Sequence, residues 1–289
     1  MTASVLVTGG AGYIGSHACK ALSRAGYLPV TYDNLCRGSE RAVRWGPLER
    51  GDIADTAQLN DVMARHRPVA VMHFAAYCYV GESVSDPAIY YRNNVFGSLC
   101  LLESMRRSGI DKLVLSSSCA TYGNPQHLPM TESHPQNPTN PYGASKLMVE
   151  RMLRDFEAAH DVRSISLRYF NAAGADSKGE IGEEHEPETH VIPLAIRATQ
   201  PGGEPITVFG TDYPTPDGTA IRDYVHVEDL ADAHVAACEH LLSGGRSLSM
   251  NLGTGRGYSV LEVIAAVERV CGRPVSVRHG PRRLGRRDH

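Results

Sequence analysis

The sequence has few of the features that mark membrane, secreted or metal-binding proteins. No apolar run approaches the roughly 18 residues of a membrane span, and no basic segment followed by a short apolar core opens the chain. The seven cysteines are scattered without a C-x-x-C pair, which favours reduced thiols over a disulfide framework or a zinc site. These absences predict a cytoplasmic protein with no membrane partner.

A strong charge of one sign is also missing. Lysine and arginine number 29 against 32 acidic residues, for a net charge of -3, so no basic surface for nucleic acid is expected. The thirteen histidines include no H-x-x-x-H pair within a helical pattern. Because the usual ligand spacings are missing, the sequence predicts no bound metal.

Short β-branched runs alternate with longer helical patterns in the first part of the chain. The predicted strands are 5–7, 30–32, 70–74, 113–115 and 164–167, and the predicted helices are 14–25, 57–66, 88–107 and 144–159. This alternation predicts an α/β fold with a Rossmann-type, doubly wound parallel sheet.

Glycine, proline and charged residues dominate 174–187 and 201–217, and helical periodicity returns at 227–242 and 260–270. Residues 1–170 are therefore predicted to form the dinucleotide domain. Residues 171–289 are predicted to form mostly a smaller α/β substrate domain, with 222–243 returning to the first domain.

A glycine loop follows the first predicted strand and opens the first predicted helix. Residues 10–15 fit G-x-G-x-x-G, and Gly9, Gly12 and Gly15 also fit the variant G-x-x-G-x-x-G. Glycine permits the tight turn and the close approach of N–H groups to a pyrophosphate, which the helix N-terminus also favours. Tyr13 and Ile14 are assigned to the same cofactor site.

Asp33, at the end of the second predicted strand, is placed to accept hydrogen bonds from the adenosine ribose. A carboxylate there disfavours a 2′-phosphate, so NAD is predicted over NADP. Asp52 is placed beside the adenine, although a strand-end aspartate also serves as a cap. Asn34 and Ile53 are assigned to the cofactor with it.

Tyr142 and Lys146 are spaced i, i+4, so on a helix they share one face. A phenol with a pKa near 10 is a poor base, and a nearby ammonium together with a positive nicotinamide favours the phenolate. Ser118 ends a predicted strand at the edge where open α/β folds bind ligands, and its hydroxyl can donate and accept. These three residues are the predicted catalytic set.

With these residues, the chain resembles the extended short-chain dehydrogenase/reductase family, and within it the UDP-sugar 4-epimerases. The resemblance covers nearly all of the sequence, in motifs at 9–17, 80–83, 90–94, 141–150, 167–171, 221–227, 251–255 and 281–283. It implies NAD-dependent 4-epimerisation of a UDP-sugar by transient oxidation at C4, with UDP-glucose and UDP-galactose as the expected pair.

The resemblance also implies residue roles. Tyr142 removes the proton of the sugar 4′-hydroxyl, Ser118 hydrogen-bonds that hydroxyl, and Lys146 holds the nicotinamide ribose. The further cofactor contacts that are expected are Phe74, Ala75, Ala76, Asn93, Ser116 and Tyr169. The further substrate contacts that are expected are Asn171, His190, Val191, Phe209, Arg222 and Arg283.

The chain departs from the family at two places. Cys78 stands where many of these epimerases have a lysine near the cofactor, and Arg286 replaces an expected acid. Relatives continue into a helical tail where this sequence stops at His289, so a weakened sugar-nucleotide affinity is expected. The family also implies a homodimer formed by two helices, 88–107 and 144–159, from each copy.

Three other functions compete with this interpretation. Residues 79–83 and 119–123 look closer to UDP-arabinose 4-epimerases, so UDP-xylose and UDP-arabinose are the alternative pair. A 4,6-dehydratase is disfavoured, because Cys119 and Ala120 stand where that chemistry needs an acid pair. A catalytically weakened or silent NAD-binding relative is the remaining alternative.

Overall fold

A computed structural model describes residues 2–282 of the chain. Its strands, in chain order, are β1 (Ser4–Thr8), β2 (Leu28–Asp33), β3 (Leu48–Arg50), β4 (Ala70–His73), β5 (Lys112–Ser118), β6 (Arg163–Tyr169), β7 (Asn171–Ala173), β8 (Ile206–Phe209), β9 (Ile221–His226), β10 (Leu248–Leu252), β11 (Gly257–Ser259) and β12 (Val277–Gly280).

The α-helices are α1 (Tyr13–Arg24), α2 (Thr56–His66), α3 (Val80–Ser85), α4 (Pro87–Tyr90), α5 (Gly97–Arg107), α6 (Pro141–His160), α7 (Val191–Ala198), α8 (Val227–Leu242) and α9 (Val260–Cys271). Short 3₁₀ helices occupy Glu40–Ala42 and Cys119–Tyr122, and a π-helical segment occupies Tyr91–Phe96. Across residues 2–282, no helix combines the length and the apolar character that crossing a membrane requires.

Seven strands form one central sheet in the order β10-β6-β5-β4-β1-β2-β3, and every neighbouring pair is parallel. The strand order reverses between β1 and β4, which is the switch point where doubly wound folds bind ligands. The predicted Rossmann-type sheet is confirmed.

Alternate residues of β1 face opposite sides of the sheet. Leu6 packs in an apolar core with residues of α2, α5 and α6, whereas Val5 and Val7 pack with residues of α1 and α8. Because both faces are covered, the strands read as apolar runs rather than as alternating patterns.

After β6 the chain enters a smaller unit. There β7, β9 and β11 form a three-stranded sheet, and β8 pairs with β12 beside α7 and α9. The chain then returns to the central sheet twice: α8 packs against α1, and β10 pairs with β6 as an edge strand. The second half of the chain therefore contributes to both units.

The predicted helix 88–107 is interrupted by the π-helical segment 91–96. A π turn holds one more residue than an α turn, and such turns are frequent at functional sites. The buried Asn94 lies in this segment, where its amide group accepts from Tyr77 N at 2.8 Å and donates to Ser145 Oγ at 3.0 Å. The extra residue thus places a polar side chain between the helix and its neighbours.

A buried ion pair joins α6 to the central sheet. Arg168 of β6 donates through Nε and Nη2 to Glu150 of α6 at 2.9 and 2.6 Å, and Ser117 donates to the same carboxylate at 2.6 Å. Arg168 also donates to the Tyr122 hydroxyl, which donates to Asn251 of β10. This network connects α6 with three neighbouring strands.

Replacing Glu150 with alanine is expected to lower the free energy of unfolding by about 3–5 kcal/mol, because it leaves the Arg168 charge buried without a partner. Urea unfolding measures the change. The matched control is Asp155→Ala, which breaks the exposed Arg151–Asp155 pair of the same helix and is expected to cost no more than about 0.5 kcal/mol. Equal losses in the two variants would contradict this role.

Candidate active site

The carboxyl ends of the central strands open onto a cleft of about 1140 Å³. The smaller unit forms its other wall through residues of β7, β9 and the loop before α7. Single ligand pockets commonly hold about 300–1,000 Å³, so this cleft has room for two ligands side by side.

The glycine loop forms one end of the cleft. Gly9 has a φ of 75°, and a Cβ atom on Gly15 would lie 2.2 Å from the Gly9 carbonyl oxygen. Helix α1 begins after Gly12, which has no side chain to cap the helix, and its first turn carries no acidic residue. The N–H groups of a first helical turn lack intrahelical partners, so this end of the cleft fits a ligand diphosphate.

Asp33 lies beside the glycine loop at the end of β2. Its two carboxylate oxygens accept from Ala11 N at 3.0 Å and Leu35 N at 2.8 Å. Burial raises the pKa of Asp33, and the two N–H groups oppose that rise. Because each carboxylate oxygen accepts more than one hydrogen bond, acceptor capacity remains for ribose hydroxyls.

Local sequence positions the Ser118, Tyr142 and Lys146 side chains. Asn140 caps α6 by accepting from Gly143 N at 2.9 Å, and Pro141 occupies the first helical turn. The next residues place Tyr142 and Lys146 one helical turn apart. Ser118 ends β5, and its hydroxyl accepts from Ala120 N at 3.1 Å and hydrogen-bonds the Tyr142 phenol.

Burial is the largest influence on the pKa values of Tyr142 and Lys146. Burial and the neighbouring Cys78 and Tyr169 raise the pKa of Tyr142 well above its usual value, and the Ser118 hydrogen bond opposes them. Burial lowers the pKa of Lys146 to about 8, although Cys78 and Glu150 oppose it. The sequence predicts that a nearby ammonium and a bound nicotinamide favour the Tyr142 phenolate. In the protein alone the pKa of Tyr142 is raised instead, because desolvation outweighs the effect of the neighbouring side chains.

Lys146 is held in place by a backbone oxygen. Its Nζ donates to Ser116 O at 2.7 Å, and the Ser116 hydroxyl contacts the Tyr169 hydroxyl. Both Ser116 and Tyr169 line the cleft, as do the other expected cofactor residues Gly9, Gly12, Tyr13, Ile14, Gly15, Asp33, Asn34, Ile53, Phe74, Ala75, Ala76 and Asn93. The cleft thus brings together most of the predicted cofactor set.

The predicted substrate residues divide into two groups. Asn171, His190 and Arg222 line the cleft from the smaller unit. Val191 packs in the apolar core around α7, and Phe209 ends β8 opposite Gly280; within residues 2–282, neither belongs to the cleft lining. Arg283 lies outside the described residues.

Among residues 2–282, Asp52 is not part of the cleft lining, but it contacts a residue that is. Its carboxylate accepts from Asn34 Nδ2 at 2.8 Å and from Ala54 N at 2.9 Å. The Asn34 amide that it holds does line the cleft. Asp52 therefore orients a lining residue and caps the turn before α2.

Several lining residues had no sequence signal of their own. The Arg37 guanidinium lies 5.0 Å from the ring centres of both Tyr77 and Tyr79, and it forms a 2.6 Å ion pair with Glu82. Asp223 accepts from Thr254 N and Gly255 N, and so shapes the turn after β10. Arg37 meets Tyr77 and Tyr79, and Asp223 meets Thr254, only in the folded chain, because about 30 to 40 residues separate them.

Buried His73 supports the glycine loop from beneath. Its ring lies 2.7 Å from Thr8 Oγ1 and 2.8 Å from Ser98 Oγ. Burial, and then the charge of Lys146, lowers the pKa of His73 to about 3. The sequence signal was a histidine at the end of an apolar strand pattern.

This fold and cleft define a class of Rossmann enzymes that use a dinucleotide to act on a substrate hydroxyl group. The NAD dependent epimerase/dehydratase family model matches residues 5–253, and the chain belongs to this family. The resemblance in the sequence motifs is confirmed.

Relatives with assigned names are similar over almost the whole chain. The UDP-glucose 4-epimerase of Rhizobium meliloti (strain 1021) is 56% identical over 282 residues, covering 98% of this chain and 86% of the relative.

Solved structures show the same fold. The Brucella ovis UDP-glucose 4-epimerase in complex with NAD has a TM-score of 0.96 at 54% identity, covering 99% of this chain and 88% of that one. The Bifidobacterium longum enzyme in complex with NAD+ and UDP has a TM-score of 0.93 at 41% identity, covering 98% and 88%.

Replacing Gly15 with alanine is expected to weaken NAD binding at least about tenfold, because the added methyl group collides with the Gly9 backbone and displaces the start of α1. Calorimetric titration of nucleotide-free protein measures the affinity. The matched control is Gly81→Ala, where no neighbouring atom lies within 4 Å of the added carbon. An unchanged affinity in the Gly15 variant would contradict the assignment.

Proposed function

We propose that this chain catalyses the NAD-dependent 4-epimerisation of a UDP-sugar, with UDP-glucose and UDP-galactose as the interconverted pair. The observation that carries the proposal is the half-buried Tyr142 phenol, hydrogen-bonded to Ser118 and one helical turn from Lys146 in the cleft of an epimerase-family fold. The relatives described above are named UDP-glucose 4-epimerases, which supports the choice of sugar.

The NAD site is assigned to the end of the cleft that the first four strands form. The glycine loop and the first turn of α1 receive the pyrophosphate, and Asp33 receives the adenosine ribose. Asn34, held by Asp52, lies beside Asp33. Lys146 is assigned to the nicotinamide ribose, since its ammonium has donors beyond the one given to Ser116 O.

Bound NAD would supply the hydride acceptor and donor for C4 of the sugar, whose 4-keto form must turn its other face to the nicotinamide for C4 to be inverted. Tyr142 takes the proton of the 4′-hydroxyl and gives it back, and Ser118 bridges that hydroxyl to the phenol. Because burial raises the pKa of Tyr142, the phenolate needs positive charge nearby. Lys146, whose pKa lies at about 8, is mostly protonated at pH 7 and supplies such a charge.

The sugar nucleotide is assigned to the wall formed by the smaller unit. Arg222 is proposed to pair with the diphosphate, since a guanidinium fork binds phosphate oxygens in a bidentate manner. Asn171 donates through Nδ2 to Asp223 O at 2.9 Å, which leaves its amide oxygen as an acceptor toward the cleft. His190, at the start of α7, is proposed to contact the nucleotide.

The competing functions lack comparable support. The relatives from Rhizobium meliloti, Rhizobium leguminosarum and Azospirillum brasilense are named for UDP-glucose rather than UDP-xylose or UDP-arabinose. A 4,6-dehydratase would need acidic residues after Ser118, where Cys119 and Ala120 begin a 3₁₀ helix. The epimerase proposal is therefore preferred.

The proposal is tested by incubating the purified chain separately with UDP-glucose, UDP-xylose and UDP-N-acetylglucosamine and separating the products by chromatography. We expect UDP-galactose as the fastest-formed product. Tyr142→Phe is expected to lower that rate at least about a hundredfold, because the proton acceptor is lost while NAD binding persists.

The matched control is Tyr27→Phe, which removes only the hydroxyl group of a side chain that packs against the core on the α1 side of the sheet. Its rate is expected to equal that of the unaltered chain. Absence of an epimer from all three sugars, with NAD bound, would overturn the proposed function; a Tyr142→Phe rate equal to the control would overturn the assigned base.

We further propose that the enzyme acts in the cytoplasm, in galactose metabolism, as a homodimer formed through the helical segments 88–107 and 144–159 of each copy. Phe96 and Met148 support the dimer, since these apolar side chains are 54% and 44% exposed on neighbouring helices. Exposed apolar patches of this kind commonly mark protein interfaces.

The double variant Phe96→Glu, Met148→Glu is expected to shift the protein from dimer to monomer, because two charges per copy would be buried in the interface. Sedimentation velocity measures the mass. The control replaces Val270, an exposed apolar residue of α9, with glutamate and leaves the dimer intact. An unshifted double variant would exclude these helices as the interface.

A further inference from the structure

Four potential metal ligands converge in the segment that links β7 to α7. Residues 174–190 contain no helix or strand, yet Glu183, His185, Glu188 and His190 place one ligand atom each within 4.8 Å of the others. Long segments without regular structure in a compact protein are commonly functional. His185 and His190 have the H-x4-H spacing found in zinc sites, but only the fold brings the two carboxylates to them.

The ligand atoms of the cluster lie close enough to converge on one ion, once the direct contact between His190 and Glu183 opens to admit it. His185 Nδ1 lies 3.2 Å from Glu183 Oε1 and 3.9 Å from Glu188 Oε2, and His190 Nδ1 lies 3.6 Å from Glu188 Oε1. His190 Nδ1 also contacts Glu183 Oε1 directly. Zinc bonds of about 2.0–2.2 Å in a tetrahedron separate ligand atoms by about 3.3–3.6 Å.

Two buried atoms of the cluster have no hydrogen-bond partner. They are His185 Nδ1 and Glu188 Oε2, and the Glu188 side chain is only 1% exposed. Burying a carboxylate oxygen without a partner is costly, and native proteins seldom do so. The two atoms lie 3.9 Å apart, so a single cation between them would satisfy both.

The rest of Glu188 is already oriented for such a role. Its Oε1 accepts from Thr189 N at 2.7 Å and from His190 N at 2.8 Å, which leaves Oε2 directed into the cluster. Hydrogen bonds that orient a ligating carboxylate are a regular part of metal sites. No such arrangement is needed for a carboxylate that faces solvent.

We propose that Glu183, His185, Glu188 and His190 bind one divalent transition-metal ion of the zinc type. Two imidazole nitrogens and two carboxylate oxygens are a ligand set that zinc commonly accepts. Calcium and magnesium are harder cations and prefer oxygen ligands alone. Four protein ligands leave no open position, so the ion has a structural role.

The bound ion anchors the 174–190 segment over the cleft. His185 and His190 line the cleft, and the His185 ring centre lies 6.2 Å from that of Tyr13 at the start of α1. The site therefore positions the beginning of α7 relative to the glycine loop. His190 is also the proposed nucleotide contact, so the metal site and the sugar-nucleotide wall share this residue. The ion stands apart from the proton-transfer residues, so zinc binding is measured independently of epimerisation.

The test uses zinc alone on the purified, full chain. After chelation and dialysis, zinc is titrated back, bound metal is measured by mass spectrometry, and Tm is measured by calorimetry. We expect about one zinc per chain and a rise in Tm of about 4 °C or more at saturation. Cobalt substitution is expected to produce the visible absorption of a four-coordinate ion.

His185→Asn and Glu188→Gln are each expected to weaken zinc binding at least about tenfold and to remove the cobalt absorption. The matched control is His66→Asn, which breaks the part-buried His66–Glu49 contact of 2.6 Å and is expected to leave zinc binding unchanged. NAD titration establishes that each variant is folded. The proposal is wrong if the unaltered chain binds no stoichiometric zinc, or if the His185→Asn variant binds zinc with the same affinity as the unaltered chain. The cluster would then be a hydrogen-bonded network.

Discussion

The buried ion pair between Glu150 and Arg168 is the interaction on which the arrangement of the cleft depends. It joins α6 to β6, and through Ser117 it also reaches β5 next to Ser118. A buried charge pair of this kind contributes little net stability, but losing one partner is strongly destabilising. The pair therefore specifies where α6 sits, and with it the positions of Tyr142 and Lys146.

The cleft combines a rigid wall with one that consists largely of loops. On the sheet side, the glycine loop, Asp33 and α6 follow strands whose carboxyl ends all meet at one edge. On the other side, the 174–190 segment has little regular structure and relies on local contacts. The proposed metal site would give this second wall the stiffness that the parallel sheet gives the first, which matters because small displacements of catalytic groups are costly.

Much of the fold and of the cofactor site follows from patterns that are local in the sequence. The glycine loop, Asp33 at a strand end, and the i, i+4 spacing of Tyr142 and Lys146 each depend on a few neighbouring residues, and the structure places them in one cleft. The wholly parallel sheet follows from the alternation of strands and helices, because parallel strands need a crossover between them. By contrast, the π turn around Asn94 was not predictable, since the Asn94 amide is bonded to Tyr77 and Ser145, which lie 17 and 51 residues away along the chain.

The sequence by itself thus determined the strand–helix order, the dinucleotide loop and the identities of the catalytic candidates. Tertiary structure alone decided that β10 completes the sheet beside β6 and that Phe209 lies away from the cleft lining. It also decided the direction of the Tyr142 pKa shift, because burial raises that pKa where a nearby Lys146 and nicotinamide had suggested the reverse. The physical reason is that desolvation and contacts between distant residues depend on the whole fold, whereas capping, turns and periodicity are local.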